Sequence, residues 1–147
     1  MKKGLCFLFG LCSILQMCAQ QVNANKQRVA VKGYDLVSYY NANPKKGTMK
    51  YMAKHQGVDY LFFSAENREK FKANPSQFLP AYGGWCAYAM AKGERVDINP
   101  LAFSIESGRL FLFYKTVIND TRSKWLRNNA TLKEKADNHW RNLTQSN

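Results

Sequence analysis

Cys86 and Met90 stand four residues apart in the run AYGGWCAYAMAKG and bring two sulfur donors close together in the chain. A thiolate is a good ligand for copper(I), silver or zinc, and a thioether suits the soft ions of that set. If the run is helical, positions i and i+4 share a face and the two sulfurs point the same way. His55 could add an imidazole if the strand that carries it packs nearby. Cys86, His55 and Met90 would then supply two or three ligands, enough for copper(I) but short of a closed zinc site. The competing reading makes Cys86 a small buried hydrophobe beside Ala87 and Ala89. A further reading makes it a nucleophile, with His55 or His139 as base and a helix start after Gly83-Gly84 to favour the thiolate. No orienting third side chain stands out for such a site, which weighs against an enzyme.

Cys86 carries this weight because the other cysteines fall at the start of the chain. MKKGLCFLFGLCSILQMCAQ has Lys2 and Lys3, then an uncharged apolar stretch to Met17, then a small residue, Ala19. That is the layout of a secretory signal peptide, too short for a comfortable membrane span. A lipid-attachment signal fits less well, because Met17 precedes Cys18 and Leu11 precedes Cys12. Cleavage near Ala19 is expected, with a periplasmic or secreted product that has no transmembrane segment. Residues 1–19 take Cys6, Cys12 and Cys18 with them, so no intramolecular disulfide is possible in the mature chain. Residues 20–28 read as a flexible lead-in, 29–143 as one domain and 144–147 as a disordered tail.

Elements that would position these residues follow from turn and cap signals. Met49–His55 and Val58–Ser64 read as strands joined at Gln56-Gly57. Ser64 is a natural helix N-cap, and Asn74-Pro75 ends the helix it starts. Pro75–Leu79 forms a second short piece. Asp35 caps a turn through Leu36–Tyr40. Trp85–Met90 allows two helical turns, with Tyr82, Cys86, Ala89 and Met90 along one stripe. A second hairpin turns at Ser107-Gly108. A helix over Thr116–Arg127 would place Val117, Thr121 and Trp125 on its inner face. Thr131 and Glu134 fit a capping box for the last helix, with Leu132, Ala136, His139 and Leu143 facing the core. The fold class is α+β: one small domain with two β-hairpins, several short helices and two C-terminal helices.

The three runs VAVKGYDLVSYY, YMAKHQGVDYLFFSAENREKFKANPSQFLPAYGGWCAYAMAKG and VDINPLAFSIESGRLFLFY, in this order and spacing, resemble an exported YHS-domain protein. The resemblance covers about Val29 to Leu143. It supplies the three naming residue types as His55, Ser64 and Tyr60, with Tyr51 the alternative tyrosine. It implies a small metal-binding or related module, with copper or a similar soft metal as the ion commonly inferred. Relatives attached to metal-transporting ATPases carry further cysteines, early in the domain and around the serine. The corresponding stretches here, VKGYDLV and FFSAENR, have none, so that ligand set is absent and any site must be built around Cys86.

Charge gives the alternative function. The chain has 22 basic and 10 acidic residues. Asn41–Val58 holds Lys45, Lys46, Lys50 and Lys54 and no acid. Such a field favours an anionic partner of the cell envelope, making the protein a structural or interaction module rather than a metal carrier. Nucleic acid is disfavoured by export and by the lack of aromatic rings among the lysines other than Tyr51. A metal ion or an unknown small ligand remains the partner under the first reading.

Overall fold

The computed structural model describes residues 21–145. The expected signal peptide therefore lies outside the described residues. Among these, no helix is long and apolar enough to cross a membrane. Among the described residues the architecture is α+β, with two two-stranded antiparallel sheets and five α-helices.

Both hairpins follow one plan. Strands β1 (Thr48–His55) and β2 (Val58–Phe62) turn at Gln56-Gly57, with φ of 48° and 77°. Strands β3 (Asn99–Glu106) and β4 (Arg109–Phe113) turn at Ser107-Gly108, with φ of 50° and 76°. Two successive left-handed residues match the twist of antiparallel strands. In each hairpin the first strand bulges, between Thr48 and Met52 and between Asn99 and Phe103. The bulges turn Met49 and Leu101 out to solvent. Gly47 lets the first bulge close, since a Cβ there would meet the Leu61 carbonyl carbon at 2.3 Å.

The first hairpin carries helix α1 (Ala65–Ala73). Ser64 caps it, accepting the Asn67 amide at 3.2 Å. Phe71 is the buried anchor of α1, and the rings of His55, Tyr60 and Phe62 all pack on it, with centroids 5.0 to 5.9 Å away. Short helix α2 (Pro75–Phe78) follows at once, started by proline in its first turn. Asp35 ties the preceding segment to this unit. Its buried carboxylate accepts from the amides of Val37 (2.8 Å), Ser38 (3.3 Å) and Phe63 (2.9 Å) and from the Asn67 side chain (2.7 Å). That full set of donors makes Asp35 a structural pin rather than a ligand contact.

The second hairpin packs under helix α3 (Ala87–Met90) and the C-terminal helices α4 (Thr121–Leu126) and α5 (Asn129–Gln145). Trp125 is fully buried between Phe111 and Phe113. Three expectations need correction here. Helix α4 starts at Thr121, not Thr116, because Asp120 takes the cap by accepting the Ser123 amide at 3.1 Å. Val117 consequently leaves the inner face and is fully exposed. Helix α5 starts two residues before Thr131, so that threonine is not its N-cap, and it runs through Thr144 and Gln145, which were expected in a disordered tail.

The expected flexible lead-in is instead bonded to the domain. Asn23 donates its backbone amide to Gly83 (2.8 Å) and its side-chain amide to Gly84 (3.2 Å) and Asp97 (3.1 Å). Trp85 Nε1 donates to the Gln21 carbonyl at 2.9 Å. These bonds give residues 21–28 a place in the fold that composition alone does not signal.

Candidate functional site

Cys86 sits where three elements meet. Tyr82 and Gly83 take left-handed φ of 57° and 60°, so the chain turns sharply into Trp85 and Cys86. Cys86 itself is non-helical (φ −56°, ψ 118°) and stands at the N-cap of α3. Its amide donates to the Val96 carbonyl at 3.0 Å, and it bridges alongside Leu112 of β4. The sulfur is 0% exposed, with the Thr121 hydroxyl 3.5 Å away. That hydroxyl gives its proton to the Tyr114 carbonyl at 2.6 Å. It therefore has only lone pairs to offer the sulfur, so Cys86 takes the donor side of this contact.

The expected stripe of Tyr82, Cys86, Ala89 and Met90 does not form, because the backbone is not helical before Ala87. Cys86 and Ala89 belong to the core cluster that joins the first hairpin to Leu110 and Leu112 of β4, whereas Met90 and Tyr82 belong to the cluster around Trp125. Met90 is fully buried and its amide donates to the Cys86 carbonyl at 2.9 Å. His55 lies at the end of β1 with its ring edge-on to Phe71. His139 lies over Gly93, its Nδ1 3.0 Å from the Met90 carbonyl. Among the described residues no three His, Cys, Asp or Glu side chains converge as a metal-holding group.

The residues that carry the family resemblance have mechanical roles. His55 and Tyr60 wall Phe71, and Ser64 caps the helix that presents it. Burial raises the Tyr60 phenol well above its ordinary pKa, so it stays neutral. Tyr51, the alternative, lies in the first bulge with Lys50 over its ring at 5.2 Å.

Cations, by contrast, face outward along three adjoining hollows. The first, of about 460 Å³, is lined by Lys32, Lys46 and Asp97 among others. The second, of about 440 Å³, shares Lys32 and Asp97 and adds Leu101 and Lys115. The third, of about 570 Å³, shares Leu101 and Lys115 and adds Arg122, Tyr39 and Tyr40. Lys32 pairs with Asp97 at 2.9 Å and Lys115 with Asp120 at 3.0 Å. Lys46 and Arg122 have no acidic partner within ion-pair distance among the described residues; Arg122 donates Nε to the Phe103 carbonyl at 2.6 Å. The Lys45 ammonium lies 4.3 Å over the half-exposed Phe63 ring, and Lys54 is held by Asp59 at 2.6 Å. Thus Lys46 of the basic loop and Lys115 and Arg122, far from it in sequence, line hollows that adjoin pairwise through Lys32, Asp97, Leu101 and Lys115.

Sequence reasoning counted Arg122 only as one of the basic residues of the tail from Lys115 to Arg141, placed the loop lysines without their neighbours, and missed Lys32. Their only signal was charge, and solvated surface residues carry the same signal. A comparison of the chain with protein-family models, curated proteins and solved structures finds no match in any of the three.

Proposed function

We propose that the protein is an exported, non-enzymatic interaction module of the YHS type whose adjoining basic hollows hold an anionic partner of the envelope. The observation that carries this reading is the contrast between its two chemistries. The thiol is sealed in the core on a hydroxyl acceptor, while Lys46, Lys32, Lys115 and Arg122 line adjoining outward-facing hollows. A sulfur sealed from solvent offers neither an accessible nucleophile nor an open ligand position. Lys46 and Arg122 carry charge that no acid among the described residues offsets, whereas Lys32 and Lys115 are paired; unpaired outward cations act at range, and salt screens them.

The test is retention on a soluble polyanion, dextran sulfate, across ionic strength. Binding should weaken steeply with salt, and Lys46→Gln with Arg122→Gln should weaken it severalfold at a temperature where the variant is fully folded. Retention indifferent to salt, or untouched by the paired substitution, would remove the reading.

Soft-metal capture at Cys86, with Met90 or His55, is the second reading. It draws on Cys86 and Met90 at the two ends of the single turn of α3 and needs the core to open around the thiol. Copper(I) competition with a chelator decides it. Uptake by the native protein that disappears in Cys86→Ser supports it, and equal, negligible uptake in both sinks it.

A further inference from the structure

The turn between β4 and α4 presents two aliphatic side chains that no part of the fold uses. Val117 and Ile118 are 104% and 97% exposed. The turn is nonetheless well bonded. The Thr116 amide donates to the Asn119 carbonyl at 2.9 Å, and the Asn119 amide to the Thr116 hydroxyl at 3.2 Å. Below them, Lys115 and Asp120 pair across the base of the turn. Cations surround that base. Lys124 donates to the Asn119 side chain at 2.8 Å, and Lys115 and Arg122 line the adjoining hollow with Leu101, itself 62% exposed.

An apolar tip that protrudes this far is convex, so it suits a fluid boundary better than the concave pockets that receive protein hot spots. Aliphatic side chains gain from burial among acyl chains, and basic residues beside them gain from anionic headgroups. The turn's internal bonds lower the cost of moving its backbone out of water. We propose that the Val117–Ile118 turn inserts into the interface of an anionic lipid bilayer, with Lys115, Arg122 and Lys124 seated on the headgroups. The inference rests on the basic-surface reading above and narrows its anionic partner to a lipid.

Co-sedimentation with phosphatidylcholine vesicles, with and without phosphatidylglycerol, tests it on the chain from Gln20 onward, the form that export would leave. Binding should require phosphatidylglycerol and fall with salt. Val117→Ser with Ile118→Ser should reduce vesicle partitioning about tenfold or more, from the apolar area withdrawn, while leaving dextran sulfate retention unchanged. If the double variant partitions like the wild type, insertion is overturned and the basic-surface reading stands. Retention on dextran sulfate with no vesicle binding also overturns insertion, and points to a protein or polysaccharide anion. If the wild type binds neither probe, both readings fall together.

Discussion

The Cys86 sulfur lies 3.5 Å from the Thr121 hydroxyl, whose own proton is already given to the Tyr114 carbonyl. The thiol is thus held as a donor in a closed core. Alkylation of Cys86 in the native protein should be slow, limited by opening of the fold, and should become fast in denaturant. Thr121→Val removes the acceptor and the Tyr114 bond together, costs about 1–3 kcal/mol, and should speed native labelling through the lost stability. Native labelling at the rate of a free thiol would show that the sulfur is open.

Asp35 should be among the least replaceable residues of the chain. Asp35→Ala leaves three backbone amides and the Asn67 side chain without their acceptor in a dry site. The expected loss is roughly 3 kcal/mol or more, since each orphaned buried donor is costly. Asp35→Asn keeps the shape but sets an amide donor against donors, so it should also destabilise strongly. Urea unfolding measures both, and a loss of under about 1 kcal/mol in Asp35→Ala would contradict the pin.

Phe71 and His55 separate packing from chemistry. Phe71→Ala removes the ring on which His55, Tyr60 and Phe62 converge and should cost about 3–5 kcal/mol. His55→Phe keeps an aromatic edge at that position and should be nearly neutral in thermal unfolding. A large loss from His55→Phe would mean that the imidazole has a role beyond its packing.

Acid should weaken the contact between β4 and α5. Asp137 accepts from Tyr82 and from two nitrogens of Arg109, at 2.9, 3.3 and 2.9 Å. Burial alone would raise its pKa, but these bonds outweigh burial and hold it below the ordinary value. Glu106 behaves alike, with burial opposed by Lys133, Trp125 and Ser104. A carboxylate whose pKa is depressed in the fold stabilises fully above its unfolded value, near about 4, and that stabilisation fades as pH falls through the folded value. The gap in unfolding midpoint between wild type and Asp137→Asn should therefore be largest at neutral pH and close in acid. A gap constant across pH would refute the linkage.

Turn chemistry made both hairpins legible, because Gln56-Gly57 and Ser107-Gly108 are local signals that need no distant partner. Ser64 and Asn74-Pro75 likewise bounded α1. Helical spacing misled where a cap competed with it. Val117, Thr121 and Trp125 keep a four-residue period, yet Asp120 starts the helix later and pairs with Lys115 to fold the intervening residues into a turn. The result exposes Val117, which period alone would bury.

Composition and local pattern determined that this chain would make an α+β domain with a basic surface and, beyond residue 19, one cysteine. Tertiary structure decided what that cysteine meets. Val96, Leu112 and Thr121 close over it from 10 to 35 residues away, and no local pattern encodes contacts at that separation. The same holds for Lys46, Lys32, Lys115 and Arg122, which come to line adjoining hollows only through the packing of the fold.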